Sequence, residues 1–481
     1  MTRSFLFYDL ETFGKDPRRS RIAQFAAIRT DLDLNPVEPP ICFFVRPADD
    51  LLPAPDACLV TGITPQRALQ EGLCEAEAFA RIHDEMRRPG TCSVGYNSLR
   101  FDDEFIRFGL YRNFYDPYER EWKDGNSRWD LLDALRLMHA LRPNGIRWRT
   151  REDGQGTSFK LEHLAEDNGL REGSAHEALS DVRALIGLAR LFRQHQPKLW
   201  EYSLRLRDKR MVETLLTAAE PAPLLHISQR YPAQRLCAAP VLPLARHPQI
   251  SSRVIVFDLD SDPTPLLTLE SEALAERVFA RRDDLPDGVA RMPLKEVHFN
   301  RCPALVQWSH LRPEDFQRLG IDVSRVDTHL QKLREAGPAL AEKVRRLYAR
   351  PVAAAVNDPD AALYDGFLPD ADKPLLAAVR ATPPERLGDT RFPFRDPRLA
   401  ALLLRYRARN WPHTLSPDER AQWDAYRRQR LLADSGLSEL SLDQYQQRLV
   451  QLRADHAANP QALTVLNALT DWGRTLAEQL A

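Results

Sequence analysis

The chain has 481 residues, of which 43% are hydrophobic and 28% charged, and its 67 Lys and Arg against 68 Asp and Glu give a formal net charge of −1. This composition is typical of a globular protein with more than one domain and excludes a disordered or collagen-like chain. No apolar run approaches the ~20 residues that span a bilayer, and acidic residues interrupt the apolar start of the chain, so we expect a cytoplasmic protein without a membrane partner.

The first part of the chain, residues 1–195, begins with strand-like runs and continues with helical patterns. Apolar runs rich in aromatic and β-branched residues predict strands over 4–14, 23–33 and 42–49. Apolar residues at helical spacing predict helices over 75–89, 100–114, 130–143 and 176–197. Strands followed by helices that can cover them predict an α/β domain.

The pattern changes after residue 195. Short apolar runs broken by Pro and Asp, at 221–232, 253–267 and 295–308, are typical of a small β domain, and residues 311–350 return to a helical pattern. A linker is predicted over 350–367. The remainder is rich in Ala, Leu, Arg, Gln and Glu, which favours helices. The predicted domains are therefore 1–195, 196–350 and 351–481.

Two acidic residues interrupt the first predicted strand, in the run FYDLETFG at residues 7–14. Alternate side chains of a strand share a face, so Asp9 and Glu11 should lie about 7 Å apart on the same side. Two carboxylates so close repel unless a cation lies between them, and Mg²⁺ or Mn²⁺ suits oxygen ligands. For an isolated D-x-E pair, however, an edge strand turned to solvent is the more common explanation.

Two further acidic positions have simple explanations when each is taken alone. Asn97 and Ser98 predict a helix entry, which puts Asp102 in the first turn, where acidic residues are favoured by the helix dipole. Asp181 lies in a long amphipathic helix five residues after His176. Residues at i and i+5 differ by about 140° on an ideal helix, so these two can converge only if His176 lies in the entry loop.

Taken in order, D-x-E, N-x-x-x-F-D and H-x-x-x-x-D resemble the DEDD 3′→5′ exonucleases, and the histidine marks the DEDDh branch. Asp102, which follows Phe101 as the motif requires, is assigned to the set in preference to Asp103. Longer strings over essentially the whole chain, among them PADDLLPAPDACLVTGITPQ, NSRWDLLD, LRPEDFQRLGI and LLLRYRARN, resemble the bacterial exonuclease I family.

This resemblance implies a ribonuclease H-like exonuclease domain, an SH3-like small β-barrel domain and an all-helical C-terminal domain that together enclose DNA. The implied activity is metal-dependent, processive 3′→5′ hydrolysis of single-stranded DNA to 5′-mononucleotides, in DNA repair and recombination. The implied cofactor is a pair of Mg²⁺ ions, with Mn²⁺ as a possible substitute, and the implied state is a monomer.

Each member of the motif is then given a role in two-metal phosphodiester hydrolysis. We expect Asp9 to bridge the two ions, Glu11 and Asp181 to complete one metal site, and Asp102 to serve the other. His176, whose unperturbed pKa lies near 6.5, is suited to take the proton from the attacking water.

Binding of a single strand needs aromatic rings for base stacking and cations for phosphates. Residues 101–129 are rich in both, although most of these rings are expected to pack in the core. Lys160 stands where similar proteins often carry Arg, and it keeps the charge but not the bidentate geometry. The predicted substrate-binding residues are Glu11, Lys160, Arg107, Tyr118, Trp122, Lys209 and Lys295.

The resemblance also implies a protein partner, the acidic C-terminal tail of single-stranded DNA-binding protein. A tail of this kind needs a cation for its terminal carboxylate beside an apolar pocket. The residues predicted to bind this tail lie at the expected nuclease–barrel junction and are Arg142, Tyr202, Gln307, Arg312 and Arg334. Ordinary packing between the domains would explain the presence of each of them equally well.

Two other functions remain open at this point. One is a DEDDh exoribonuclease or proofreading exonuclease, against which the long chain after residue 195 argues. The other is a non-catalytic scaffold that binds single-stranded DNA, against which the intact acidic set argues. The six cysteines form no CxxC pair, and the chain has no GxGxxG or P-loop motif, so zinc-finger, dehydrogenase and kinase functions are not expected.

Overall fold

The computed structural model describes residues 2–171, 177–281, 284–350 and 358–481. The strands are β1 (Ser4–Thr12), β2 (Ile22–Thr30), β3 (Ile41–Phe44), β4 (Thr91–Gly95), β5 (Ser127–Asp130), β6 (Leu224–Ile227), β7 (Ala238–Arg246), β8 (Arg253–Asp258), β9 (Leu294–His298) and β10 (Ala304–Gln307).

The α-helices follow the same numbering along the chain. They are α1 (Pro55–Thr61), α2 (Pro65–Glu71), α3 (Glu75–Met86), α4 (Asp102–Arg112), α5 (Leu131–Leu141), α6 (Leu161–Asp167), α7 (Ala178–His195), α8 (Pro197–Arg205), α9 (Lys209–Leu216), α10 (Thr264–Thr268), α11 (Ser271–Phe279), α12 (Pro313–Leu319), α13 (Val323–Glu335), α14 (Gly337–Tyr348), α15 (Lys373–Ala381), α16 (Pro397–Asn410), α17 (Pro417–Leu431), α18 (Leu442–Asp455) and α19 (Pro460–Leu480). Within the described ranges, none of these helices has the length and apolar character needed to cross a membrane.

The chain divides into two compact units that do not coincide with the predicted domains. Unit 1 takes its residues from 1–127, 171–186 and 354–481, and unit 2 from 128–170 and 187–353. The first and last parts of the chain therefore fold together in unit 1.

The sheet that starts in unit 1 is built around β1. Within unit 1 the strand order is β3-β2-β1-β4, with β1 antiparallel to β2 and parallel to β4. The three predicted strands are confirmed as β1, β2 and β3, whereas the short β4 and β5 were not predicted. The pairing register shifts between Glu11 and Thr12, which marks a bulge at the end of β1.

The C-terminal helices of unit 1 pack against its N-terminal segments. Leu466 and Leu476 of α19 share a buried core with Phe13 and Leu51. The Trp472 indole N–H donates to the carbonyl of Leu51 at 3.0 Å. The region after residue 367 is helical, as predicted from its composition.

Unit 2 contains a five-stranded antiparallel sheet in the order β10-β6-β7-β8-β9. Its core joins strand residues such as Ile255 and Phe257 to Leu137 of α5 and Val344 of α14. The predicted small β domain and the helices predicted over 311–350 are both confirmed. The nine-residue β7 was not predicted.

Candidate active site

The centre of the candidate site is a group of three carboxylates from β1 and α7. Asp9, Glu11 and Asp181 each offer an oxygen, and these oxygens all lie within 4.8 Å of one another. Asp9 and Asp181 are half-buried and Glu11 is buried. The fold thus brings together β1 and α7, which lie far apart in the sequence.

Asp181 reaches the group from the first turn of α7, where its backbone N–H donates to the carbonyl of Glu177 at 3.1 Å. His176, the predicted proton acceptor, lies outside the described residues.

Asp102 is the first residue of α4 and is buried. It is not in the group within 4.8 Å, yet its charge acts on the group. Burial raises the pKa of Asp9 well above its ordinary value, and Asp102, Glu11 and Asp181 raise it further. The pKa of Glu11 is raised to about 8, first by burial and then by Asp181 and Asp102.

The donor chemistry of this group fits a divalent cation. Its ligand atoms are carboxylate oxygens, which Mg²⁺, Mn²⁺ and Ca²⁺ prefer, and the described residues of the group include no thiolate or imidazole. The raised pKa values show that the carboxylates repel each other and are poorly solvated. A bound cation would relieve both costs, so the residues present fit a metal site.

The neighbouring Asp103 has a different environment from that of Asp102. Its Oδ1 accepts a hydrogen bond from the Tyr8 hydroxyl at 2.9 Å and another from Arg120 Nη2 at 2.5 Å. All three side chains are almost completely buried. Tyr8 and Arg120 were not predicted as site residues, because only the tertiary structure brings them to Asp103. The available signal in the sequence was a pair of adjacent acidic residues at one helix start.

Arg107, one of the predicted DNA contacts, is buried in unit 1 and fully engaged. Its Nε and Nη2 donate to Glu121 at 2.7 and 2.9 Å, and its Nη1 donates to Glu104 at 3.0 Å. The guanidinium also lies 5.4 Å from the ring centre of Tyr118. Of the three predicted contacts in this region, Trp122 is the exposed one, with 66% of its surface accessible.

The other predicted phosphate contacts lie in unit 2. Lys160 is exposed at the start of α6, and its Nζ lies 3.3 Å from Glu162. Lys209 begins α9 with its Nζ 5.4 Å from the ring centre of Phe299. Lys295 is half-buried on β9, with its Nζ 4.3 Å from the Tyr231 ring centre.

Two of the predicted partner-binding cations share one carboxylate in unit 2. Arg142 Nη2 donates to Asp315 at 3.2 Å, and Arg312 Nε lies 3.6 Å from the same carboxylate. Half of the Arg312 side chain is exposed.

The remaining predicted partner residues also lie in unit 2. The Tyr202 hydroxyl donates to the carbonyl of Leu305 at 2.9 Å, and Gln307 is the last residue of β10. Arg334, near the end of α13, donates from Nη2 to the carbonyl of Pro221 at 3.4 Å.

Family models match three consecutive parts of the chain. An exonuclease model matches residues 6–189, the exonuclease I SH3-like domain matches 207–350, and the exonuclease I C-terminal domain matches 357–476.

Curated relatives and solved structures match the chain over almost its whole length. It is 43% identical over 474 residues to exodeoxyribonuclease I of Escherichia coli (strain K12) and 41% identical over 472 residues to that of Haemophilus influenzae, with 98% of each chain covered. The fold is similar to that of a moderately thermophilic exonuclease I from Methylocaldum szegediense, with a TM-score of 0.95 and 46% identity over 100% of both chains. It is also similar to E. coli exonuclease I in complex with a dA16 oligonucleotide, with a TM-score of 0.94 and 43% identity over 99% of this chain and 100% of that one. A zinc-bound form of the E. coli enzyme with single-stranded DNA gives a TM-score of 0.93, with 42% identity over 99% of this chain and 100% of that chain.

Proposed function

The chain belongs to the exonuclease I family, and from this membership we propose that it degrades single-stranded DNA processively from the 3′ end, releasing 5′-mononucleotides. It is a nuclease with an exonuclease domain, an SH3-like domain and a helical C-terminal domain. The observation that most directly supports the activity is the group of Asp9, Glu11 and Asp181, whose carboxylate oxygens lie within 4.8 Å. The family matches support domain boundaries near 1–195, 196–350 and 351–481.

The exonuclease domain implies a divalent metal, and we propose Mg²⁺, bound as two ions, with Mn²⁺ able to replace it. When bound, these ions supply activation of the attacking water and neutralisation of charge on the leaving oxygen. Asp9, Glu11 and Asp181 would hold one ion, and Asp9 and Asp102 would hold the other. His176 accepts the proton of the attacking water.

The single strand is held by ring stacking and by cations, contacts that ignore base identity, so degradation is independent of sequence. The exposure of Trp122 supports a stacking role for it beside Tyr118. Lys160 is exposed and available to phosphate. Arg107, Lys209 and Lys295 complete the proposed set, although the ion pairs of Arg107 favour a supporting role over a direct one.

We further propose that Arg142, Arg312 and Arg334, with Tyr202 and Gln307, bind the C-terminal tail of single-stranded DNA-binding protein. Arg312 pairs with Asp315 and Glu314 while half of its side chain stays exposed, which leaves its guanidinium accessible to a terminal carboxylate. The protein then acts as a cytoplasmic monomer in DNA repair and recombination.

Degradation assays with matched substrates test the proposal. The purified protein is given 5′-labelled single-stranded DNA, blunt duplex DNA and single-stranded RNA of one sequence, with Mg²⁺ or with a chelator. We expect rapid shortening of the single-stranded DNA alone, mononucleotide products, and complete loss of activity with the chelator. Preference for RNA would favour the exoribonuclease alternative, and binding without cleavage would favour the scaffold.

A further inference from the structure

We propose that Tyr8, Asp103 and Arg120 form a buried positioning network that holds the metal-binding ends of β1 and α4 in place and thereby sets the affinity of the site for a divalent cation. None of the three is proposed to touch metal or substrate. The inference rests on the proposed metal-dependent function and goes beyond it, because it assigns a role to residues outside the D-E-D-D-H set.

The network joins the two elements that carry three of the four acidic residues. Tyr8 directly precedes Asp9 on β1, and Asp103 directly follows Asp102 at the start of α4. Successive side chains of a strand point to opposite faces, so Tyr8 holds β1 from the face opposite to that of Asp9. The 2.9 Å hydrogen bond from Tyr8 to Asp103 therefore fixes the strand and the helix start relative to each other.

Arg120 compensates the charge of Asp103. Next to the group and Asp102, which are four carboxylates together, an uncompensated Asp103 would add a further negative charge in a buried place. The 2.5 Å hydrogen bond from Arg120 Nη2 neutralises it, so the network holds the helix start without adding to the repulsion among the metal-binding residues.

Arg120 is held there at some cost. Its Nε and Nη1 are buried and have no hydrogen-bond partner in the part of the chain that the structure describes. Buried polar groups without partners are uncommon because each forfeits its hydration. Arg120 is fully buried, and only one of its three guanidinium nitrogens donates to Asp103. Packing does not explain this placement, whereas the need for a positive charge beside Asp103 does.

The turn that carries Arg120 is itself tied to α4 at a second point. Glu121, the next residue, accepts hydrogen bonds from Arg107 in the second turn of α4 at 2.7 and 2.9 Å. Two neighbouring residues of the turn thus bind the first and second turns of one helix. These contacts hold the start of α4, where Asp102 lies.

The test compares conservative changes in the network with matched changes elsewhere in unit 1. Tyr8→Phe is paired with Tyr445→Phe, since the Tyr445 hydroxyl makes an equally buried 2.8 Å hydrogen bond to the carbonyl of Leu469. Arg120→Lys is paired with Arg29→Lys. Arg29 is also a buried arginine with a carboxylate partner, Glu85 at 3.2 Å, and it lies opposite Leu6, towards the end of β1 that is farther from Glu11.

Binding of Mn²⁺ to the DNA-free protein is measured by the paramagnetic resonance of free Mn²⁺, together with thermal unfolding and turnover over a range of Mn²⁺ concentrations. We expect Tyr8→Phe and Arg120→Lys to weaken Mn²⁺ binding about tenfold, the usual effect of losing an outer-sphere support. The control variants should lose similar thermal stability and keep the affinity of the wild type. High Mn²⁺ should restore much of the turnover of the network variants.

Three results would count against the network. If Tyr8→Phe and Arg120→Lys lose stability like their controls but bind Mn²⁺ as the wild type does, the network is structural only and the inference is wrong. If the controls weaken Mn²⁺ binding as much as the network variants do, the effect is general loosening and the inference is again wrong. If the wild type binds no Mn²⁺ at millimolar concentration, the proposed metal-dependent function fails, and the inference fails with it.

Discussion

Asp9 and Glu11, two residues apart on β1, each place a carboxylate oxygen within 4.8 Å of the other, and Asp181 adds a third at the same range. Burial raises the pKa of both residues, and repulsion from Asp102 and Asp181 raises it further, so the rest of unit 1 must force these carboxylates together. A bound cation would relieve this repulsion, so the unfavourable free energy of bringing the carboxylates together would be recovered as affinity for the cation.

Neutralising one member of the group should abolish turnover. We expect Asp181→Asn to lower the rate of nucleotide release from single-stranded DNA by at least about a thousandfold, equivalent to about 4 kcal/mol, because a metal ligand is lost. Asp84→Asn, which changes an exposed aspartate on α3, is the control and should keep the wild-type rate. A rate for Asp181→Asn within tenfold of the wild type would contradict the assignment.

The same repulsion predicts a pH dependence of stability in the metal-free protein. The pKa of Glu11 rises from 4.5 to about 8 on folding, so between these values the folded state holds a proton that the unfolded state has lost. Stability should therefore fall as pH rises through this window, at a cost of about 1.4 kcal/mol for each unit of raised pKa.

Glu11→Gln removes this titration. In urea denaturation with a chelator present, the variant should be more stable than the wild type at pH 8 and closer to it at pH 5. Adding Mn²⁺ should stabilise the wild type at pH 8 but the variant far less. A variant that is less stable than the wild type at pH 8 without metal would show that the Glu11 carboxylate is not under strain.

Trp122 and Arg107 should respond differently to truncation, although both were predicted to contact DNA. Trp122→Ala should weaken binding of a short single strand by about 1–3 kcal/mol, the value of one stacked base, without loss of stability. Arg107→Ala should mainly destabilise the protein, because it leaves Glu121 and Glu104 without their ion-pair partner. Fluorescence anisotropy and thermal unfolding separate the two effects, with the exposed Val450→Ala as control.

The sequence could predict those site residues that belong to a recognisable local pattern or motif. Asp9 and Glu11 were recognisable because acids are unusual inside a buried strand, and Asp102 and Asp181 because their spacing matched a known motif. The Tyr8–Asp103–Arg120 network could not be found in this way, since its members lie at unrelated positions and only the packing of α4 on the sheet brings them together.

Physical reasons also explain why β4 and β7 were not predicted from the sequence. β4 is only five residues long and consists of TCSVG, without the long apolar alternation of β1. β7 contains Pro240 and Pro243, and proline removes a ladder donor, so sequence rules argue against a strand there. The structure accommodates Pro243 at a shift in register between β7 and β8.

The association of the first and last segments in unit 1 depends on buried ion pairs. Arg409 of α16 donates to Asp360 at 2.9 Å and to Asp50 at 2.8 Å, and all three side chains are almost inaccessible. Arg409→Ala should lower the free energy of unfolding by about 3–5 kcal/mol, because two buried carboxylates lose a partner. Arg474→Ala removes an exposed ion pair to Asp471 and should cost less than about 1 kcal/mol in the same urea titration. Equal effects of the two changes would contradict this account.

His139 in unit 2 should make stability fall at acidic pH. Its ring packs against Trp148 and Phe159, its Nε2 lies 3.0 Å from the Thr157 hydroxyl, and its buried Nδ1 has no partner among the described residues. Burial, and then the charge of Arg318, lowers its pKa to about 4.

Between about pH 6.5 and 4 the unfolded state therefore binds a proton at His139 that the folded state does not bind. The free energy of unfolding falls as pH falls through this window. From pH 7 to pH 5 the loss attributable to His139 should be about 1–2 kcal/mol. His139→Gln should remove that share of the pH dependence in urea denaturation, and a variant that keeps it would contradict this account.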